Sequence, residues 1–305
     1  MIPWLELTLT PAEAVRALER ALLDGLDPEA AAPRSAVPVP AGELLLMPAA
    51  AGRYAGVKIA AVAPGNPVRG LPRITGGYLL FDGPTLQPLA LLDGAALTAL
   101  RTPAVTALAL HRLAPPDAGR LVLFGAGPQA HGHLAALAAV RPLRRVTVVA
   151  RRPGPARELA DRARSLGLDA RTGGPEAVAE ADLVVCCTTA RTPLFDGRLV
   201  PDRAAVAAIG SHEPGAREVD TALVRRSALY TEARSAASAE AGDLLAAFAE
   251  GGPLPLANLS ELVCGKAVVP DDRPRLFKGV GMAWQDLAVA AAQYDAGAAA
   301  RPGET

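Results

Sequence analysis

Residues 121–130 read LVLFGAGPQA, and this stretch decides the fold of the chain. It opens with LVLF, an apolar run typical of a buried strand, and the glycine pattern Gly125-x-Gly127-x-x-Ala130 follows directly. Gly125 permits a tight turn after the strand, Gly127 lets the backbone approach a pyrophosphate, and Ala130 is small enough for close packing of a helix on the strand. A helix that begins here would offer free N–H groups and its positive dipole end to an anion.

The segments after this pattern alternate between helix-like and strand-like stretches. The helix-like stretches are GPQAHGHLAALAAV and ARELADRARSLG, and the strand-like ones are RRVTVVA, LVVCCTT and AAVAAIG. This alternation predicts the α/β class with a Rossmann-type, doubly wound parallel sheet, and continuous apolar strands fit a sheet covered on both faces. In that context the glycine pattern predicts a dinucleotide site rather than a glycine turn that binds no ligand. The residues predicted to form it are Gly125, Gly127, Pro128, Gln129 and Ala130.

The end of the second strand indicates which dinucleotide binds. An NAD site usually carries Asp or Glu about 20 residues beyond the glycine pattern, where the carboxylate binds the ribose hydroxyls. The chain has Ala150-Arg151-Arg152 at that place and no carboxylate. Because two guanidinium groups can hold a 2′-phosphate, the sequence favours NADP(H) over NAD(H). The alternative is a pair of solvated arginines at a strand end.

The chain before this domain has a different rhythm. Thr10-Pro11 and the following AEAVRALERALLDGL predict a capped helix. Short apolar runs between residues 30 and 100, separated by Gly, Pro and Asn, predict antiparallel strands. GAALTALRTPAVTALALHRLA predicts a long helix or a helix pair interrupted at Pro103, and APPDAGR (114–120) marks the domain boundary. At the C-terminal end, LFKGVGMAWQDLAVAAAQY predicts a loop and then an amphipathic helix, with a frayed tail after Tyr294.

Composition argues against several classes of partner and site. The chain has 31 basic and 31 acidic residues, which disfavours a nucleic-acid or anionic-membrane partner. Its cysteines, Cys186, Cys187 and Cys264, lack the number and spacing of a disulfide framework or a zinc site, so we expect no metal. The sequence shows no signal peptide and no apolar stretch of about 18 residues, and we expect a soluble cytoplasmic protein.

Several segments, taken in order, resemble the ornithine cyclodeaminase/mu-crystallin family. They are MPAAAGRYAGVK (47–58), LTALRTPAVTALA (97–109), LFGAGPQAHGHLAAL (123–137), IGSHEPGAREVD (209–220), EAGDLL (240–245) and LFKGVGMAWQDLAVA (276–290). The resemblance implies a dinucleotide-binding Rossmann domain, 115–275, and a smaller α+β substrate and dimerisation domain, 1–114. It implies that a C-terminal helix within 276–305 completes the smaller domain and that the protein is a homodimer.

The resemblance also implies a substrate site. Arg101 matches the arginine that binds the substrate carboxylate, a task for which a forked guanidinium is suited. Lys58 matches a lysine at the substrate, and as an isolated cation in an apolar strand it would be a usable proton donor once burial lowers its pKa. Arg34 falls where the family places a second carboxylate-binding arginine, and Val280 is a further substrate contact. The alternatives are an ion-paired Arg101, a Lys58 that extends to solvent and a surface Arg34.

Further cofactor contacts follow from the same resemblance. Arg73 lies where mu-crystallin has an arginine near the cofactor. The remaining implied cofactor residues are Thr102, Thr188, Thr189, Ile209, Gly210, Ser211 and Gly279. His131 and His133 lie in the first turns of the predicted cofactor helix, where a position near a phosphate accounts for them better than metal ligation.

One departure from the family bears on the reaction. In register with Pro214-Gly215, His212 takes the place of the acidic residue that ornithine cyclodeaminases carry just before their Pro-Gly, where it supports handling of the amine. Glu213 is the next residue, but its side chain is expected to point elsewhere. Its loss favours a simpler reaction, the NAD(P)H-dependent reduction of a cyclic imino acid. The expected substrates are Δ1-pyrroline-2-carboxylate or Δ1-piperideine-2-carboxylate, the products proline or pipecolate, with Lys58 or His212 near the imine nitrogen.

Two other functions stay open at this point. One keeps the fold but changes the chemistry, to cyclodeamination of ornithine or lysine or to an alanine- or opine-type dehydrogenation. The other is a non-catalytic NADPH-binding protein similar to mu-crystallin. His212 and Gly279, which stands where the family often has serine, leave that second reading open.

Overall fold

The computed structural model describes residues 1–299 and divides the chain into two compact units. The first comprises Met1–Thr102 and the chain from Met282 onward, and the second comprises Pro103–Gly281. These boundaries differ from those predicted at 114/115 and 275/276. The first lies inside helix α2 (Gly94–Leu113), whose later turns belong to the second unit. The second boundary follows β13 (Arg275–Lys278), because this strand pairs within the second unit's sheet.

An antiparallel sheet forms the first unit, with its five strands in the order β1-β2-β3-β4-β5. The strands are β1 (Ser35–Val39), β2 (Gly42–Ala51), β3 (Tyr54–Val62), β4 (Ile74–Asp82) and β5 (Pro88–Asp93). Helix α9 (Ala283–Ala299) packs on β2 and β3, and α1 (Pro11–Leu23) packs on α9. The antiparallel strands between residues 30 and 100 are thus confirmed.

Local sequence determines where helix α1 begins, whereas packing determines that helix α2 continues through a proline. Thr10 and Glu13 form the capping box that the sequence predicts at the start of α1. Pro103, by contrast, does not interrupt α2, which runs unbroken from Gly94 to Leu113. Proline removes one helical hydrogen bond, but the surrounding residues of α2 are buried, and their packing offsets that loss.

The second unit is built on an eight-stranded sheet with the order β12-β11-β13-β10-β9-β6-β7-β8, in which every pair is parallel. Its further strands are β6 (Arg120–Phe124), β7 (Arg145–Val149), β8 (Asp169–Thr172), β9 (Leu183–Cys186), β10 (Ala205–Ala208), β11 (Ala228–Thr231) and β12 (Leu256–Asn258). Its helices are α3 (Pro128–Val140), α4 (Pro153–Ser165), α5 (Thr221–Arg226), α6 (Arg234–Glu240), α7 (Gly242–Gly251) and α8 (Leu259–Val263). The predicted fold class is confirmed.

The C-terminal part of the chain corrects two expectations. The stretch LFK is not a loop but part of β13, which lies between β10 and β11 and fills a central place in the sheet. The chain also stays helical beyond Tyr294, to the end of α9 at Ala299, where fraying was predicted. The end of that predicted tail, 300–305, lies outside the described residues. Within residues 1–299, no helix has both the length and the apolar character needed to cross a bilayer.

Candidate active site

In the first unit, β3 places a lysine on the buried face of the antiparallel sheet. From Tyr54 to Ala60 the even-numbered residues of this strand are buried and the odd-numbered ones are more exposed, so Lys58 points inward and Ile59 points outward. The ammonium Nζ of Lys58 lies 2.7 Å from Oδ2 of Asp286 in α9. It also donates a hydrogen bond of 3.2 Å to Oγ1 of Thr98 in α2. Lys58 is therefore paired, which corrects its description as an isolated cation.

The carboxylate of Asp286 forms ion pairs with two cations. Its other oxygen, Oδ1, lies 3.3 Å from Nε of Arg101, and the Asp286 side chain is fully buried. Nη1 of Arg101 donates a 2.7 Å hydrogen bond to Oε1 of Gln285. Lys58 and Arg101, predicted separately from sequence, are thus brought together on one carboxylate.

Asp286 is absent from the residues predicted by sequence. The signal that could have found it is a lone carboxylate in the apolar stretch GMAWQDLAVA, since an unpaired charge is rarely buried there. Tyr78 was also missed. It lies directly opposite Lys58 in β4, and its buried hydroxyl has no hydrogen-bond partner among the described residues. Burial, reinforced by the negative charge of Asp286, raises the pKa of Tyr78.

Electrostatics make the Lys58 ammonium an unusual acid. Burial lowers its pKa to about 8, because removing the charged form from water is costly. The carboxylate of Asp286 opposes that shift, whereas the positive charges of Arg101 and Arg34 reinforce it. Arg34 is half-buried, and its charge is the smallest of these contributions to the pKa of Lys58. Two cations, Lys58 and Arg101, on the one carboxylate of Asp286 leave a surplus of positive charge.

In the second unit, the glycine loop has the geometry of an anion cradle. Gly125 has a φ of +110°, and a Cβ placed there would lie 2.8 Å from the carbonyl oxygen of Cys187. A Cβ on Gly127 would meet only open space, and Gly127, as the N-cap residue of α3, has no side chain that could cap the helix. The loop therefore leaves the first turn of α3 open to a ligand, and these residues fit a dinucleotide pyrophosphate.

The other predicted cofactor residues of the second unit follow the carboxyl ends of its parallel strands. Arg151 and Arg152 are exposed just after β7, at the start of α4. The loops after β9, β10 and β13 carry the remaining ones, which are Thr188, Thr189, Ile209, Gly210, Ser211 and Gly279, together with Val280 from the substrate prediction. Ligands of open parallel sheets bind outside this edge.

Four predicted residues lie elsewhere or play a different part. Arg73 is exposed just before β4 and Thr102 is half-buried in α2, both in the first unit. His212 is exposed in the loop after β10. His133 does not face a phosphate. It is fully buried, with Nδ1 bonded to the carbonyl of Gln129 and Nε2 to Oγ1 of Thr106, and burial lowers its pKa to about 4.

Comparison with known proteins agrees with this architecture. Residues 8–300 match the model of the ornithine cyclodeaminase/mu-crystallin family. The chain is 38% identical to Delta(1)-pyrroline-2-carboxylate reductase 2 of Burkholderia ambifaria over 283 residues, which are 88% of this chain and 86% of that protein.

Solved structures give the same picture over nearly the whole chain. One is the Delta(1)-pyrroline-2-carboxylate reductase of Thermococcus litoralis in complex with NADH and L-proline, with a TM-score of 0.88, 30% identity and coverage of 97% of this chain and 98% of that one. Another is an archaeal alanine dehydrogenase dimer with bound NAD, with a TM-score of 0.89, 28% identity and coverage of 99% and 98%.

Proposed function

The chain belongs to the ornithine cyclodeaminase/mu-crystallin family, and on that premise we propose that it reduces a cyclic imino acid with NAD(P)H. The substrate is Δ1-pyrroline-2-carboxylate or Δ1-piperideine-2-carboxylate, and the product is proline or pipecolate. The observation that carries this proposal is the buried cluster of Lys58, Arg101 and Asp286, which joins a carboxylate-binding group to a proton donor. The Burkholderia reductase and the proline-bound Thermococcus reductase support it.

Arg101 is suited to bind the substrate carboxylate. Its guanidinium forms an ion pair with Asp286 at Nε and donates a hydrogen bond to Gln285 from Nη1, so it is oriented before a substrate arrives. Nη2 is then the edge that would receive the carboxylate, with Arg34 as a second cation. The surplus positive charge of the cluster favours an anionic substrate over a neutral or cationic one.

The reaction adds a hydride to the imine carbon and a proton to the imine nitrogen. Bound NAD(P)H supplies the hydride, and the glycine loop that begins α3 would hold its pyrophosphate. Lys58 supplies the proton, because an ammonium with a pKa of about 8 is charged at neutral pH and still gives its proton up readily. Asp286 keeps Lys58 in place and raises its pKa enough to hold that proton until it is needed. His212 is the alternative donor.

Two finer features belong to the same proposal. Arg151 and Arg152 would bind a 2′-phosphate, so NADPH is the preferred cofactor.

The protein forms a homodimer through the outward face of its antiparallel sheet. Val57, Ile59 and Leu79 lie on that face, and apolar side chains that are grouped on an accessible surface favour an interface there.

The test is oxidation of NADPH by the purified protein with each of the two imino acids, with NADH in parallel. We expect turnover with NADPH and a loss of about 100-fold in kcat/KM for Arg101→Ala, or about 2.7 kcal/mol. Arg112→Ala, on an exposed residue of the same helix, is the control and should retain full activity.

Other outcomes would point to other functions. Turnover of neither imino acid would reject the proposal. Ammonia release from ornithine without net NAD(P)H consumption would identify a cyclodeaminase, and tight NADPH binding without turnover of any imine would identify a binding protein.

A further inference from the structure

A buried carboxylate joins two of the loops at the carboxyl edge of the parallel sheet. Glu218 is fully buried. Its Oε1 accepts hydrogen bonds from the backbone N–H and the hydroxyl of Thr188, at 2.7 and 2.8 Å. Its Oε2 accepts from the N–H of Gly210, at 2.7 Å. One side chain therefore fixes the loop after β9 relative to the loop after β10.

A second layer of charges holds Glu218 in place. Oδ1 of Asp243 accepts from the backbone N–H groups of Glu218 and Val219, at 2.6 and 2.9 Å. Its Oδ2 lies 2.8 Å from Nζ of Lys278, and both side chains are fully buried. Lys278 in turn donates a 2.8 Å hydrogen bond to the carbonyl of Ser211, which also belongs to the loop after β10.

The loop after β13 is held in the same way. Oε2 of Glu232 accepts from the N–H groups of Val280 and Gly281, at 2.8 Å each. Loops after β9, β10 and β13 are thus each fixed by a charged side chain that is almost completely buried. Glu218, Asp243 and Lys278 have no surface to offer a ligand.

Stability alone is a weak reason for such a network. Buried ion pairs are expensive to desolvate, and apolar residues of similar size often stabilise a core as well or better. Burial raises the pKa of Glu218, although the Lys278 ammonium opposes that shift, so the ionised carboxylate is held at a cost. What this carboxylate does provide is a fixed position for Thr188 and Gly210.

The position of Thr188 matters because its neighbour borders the glycine loop. The carbonyl oxygen of Cys187 lies so close to Gly125 that a Cβ there would be 2.8 Å away. A shift of the loop after β9 would therefore disturb the cradle at the start of α3. We propose that Glu218 is a positioning residue for the dinucleotide, which sets the loops after β9 and β10 through Thr188 and Gly210. This inference rests on the dinucleotide binding included in the proposed function.

The chain offers a matched control at the opposite edge of the same sheet. Asp182 is a buried carboxylate just before β9. It accepts backbone hydrogen bonds from Gly119 and Arg120, at 3.1 and 3.0 Å, and joins the starts of β6 and β9. It resembles Glu218 in burial and in its backbone hydrogen bonds, and it also forms an ion pair with the Arg120 guanidinium, with 2.8 Å between Oδ1 and Nη2. It lies at the amino edge, away from the ligand side of a parallel sheet.

The experiment compares Glu218→Gln with Asp182→Asn. Dissociation constants of NADPH are measured by titrating its fluorescence, and Tm is measured on the same samples. In Glu218→Gln an amide N–H₂ faces one of the N–H donors, so we expect NADPH to bind about tenfold or more weakly. Asp182→Asn should lower Tm by a similar amount and leave the dissociation constant within about twofold of the wild type.

Asp243→Asn provides a second variant if Glu218→Gln does not fold. It keeps Oδ1 for the backbone of Glu218 and Val219 but removes the charge beside Lys278, and it should also weaken NADPH binding. Unchanged NADPH affinity in the folded variants, or an equal loss in Asp182→Asn, would overturn the inference. Wild-type protein that binds NADPH but reduces no imino acid would refute the reductase alone, whereas wild-type protein that binds no dinucleotide would overturn both.

Discussion

At the scale of single residues, the chemistry depends on how Lys58 is charged. Its ammonium is buried beside the carboxylate of Asp286, and burial lowers its pKa to about 8 from an ordinary value of 10.5. The protonated form is the proton donor, so it is present below pH 8 and is lost as the pH rises through that value. The activity of the protein should therefore fall as the pH rises above about 8.

We expect kcat/KM for imino acid reduction to be level near neutral pH and to fall about tenfold per pH unit above about 8, because at saturating NADPH this parameter reports the pKa of the enzyme–NADPH complex before the imino acid binds. Lys58→Met should lose about 100-fold to 10,000-fold in rate. Its residual activity should not show the fall above about pH 8, which is the alkaline limb of the pH profile. The measurement is a pH profile of both proteins with saturating NADPH. A limb that persists unchanged in Lys58→Met would assign the proton to another group, with His212 the first to test.

Asp286→Asn should move the alkaline limb of the pH profile to lower pH. The carboxylate raises the pKa of Lys58, so its removal lowers that pKa and shifts the loss of activity to lower pH. Arg101 also loses its partner at Nε, and KM for the imino acid should rise. Asp295→Asn is the control in the same helix, because Asp295 accepts a hydrogen bond from Tyr54 and not from Lys58. An alkaline limb that stays in place in Asp286→Asn would contradict this account.

At the scale of elements, the turn from β6 into α3 depends on its first glycine. Gly125 combines a φ of +110° with close contact to the Cys187 carbonyl, and an L-residue meets both obstacles at once. Gly127 faces open space, so its role is to leave room rather than to relieve a clash. Gly125 is therefore needed for the backbone conformation of the loop, whereas Gly127 is needed for the space that it leaves.

Gly125→Ala should weaken NADPH binding at least about tenfold and lower Tm, because strained backbone of this kind costs about 1–3 kcal/mol. Gly154→Ala is the matched control, since Gly154 lies in α4 and a Cβ there meets nothing within 4 Å. Fluorescence titration of NADPH and thermal melts distinguish the two. Equal affinities in both variants would show that the turn tolerates a side chain.

At the scale of the whole molecule, the two faces of the antiparallel sheet differ. The inner face carries Lys58 and Tyr78 and packs on α9, whereas the outer face carries Val57, Ile59 and Leu79. Ile59 is 45% exposed in the single chain, and Val57 and Leu79 on the same face are half-buried. A second copy of the chain would remove that surface from water.

Ile59→Asp should therefore convert a dimer into a monomer, because a buried, unpaired carboxylate in an apolar interface is strongly unfavourable. The molar mass is measured by light scattering during size-exclusion chromatography. Val268→Asp is the control, since Val268 is 84% exposed in the second unit and its substitution should leave the dimer intact. A wild-type protein that elutes as a monomer would reject the proposed interface.

The sequence by itself determined the features that depend on neighbouring residues. The α/β class, the antiparallel strands, the capping box at Thr10 and the glycine loop follow from periodicity and from local backbone requirements, which a short window of residues contains. The roles proposed for Lys58 and Arg101 came from segments that resemble a family. A short stretch of neighbouring residues did not reveal β13, because these residues form a strand only by pairing with β10 and β11.

Only the tertiary structure decided which charges meet. Asp286 lies 228 positions from Lys58 in the chain, and Lys278 lies 35 or more positions from either Asp243 or Ser211. No local pattern encodes such pairs, because a buried charge acquires its partner from whichever element packs against it. The sequence therefore supplied the cations and the loops, and the packing of distant elements supplied the carboxylates that orient them.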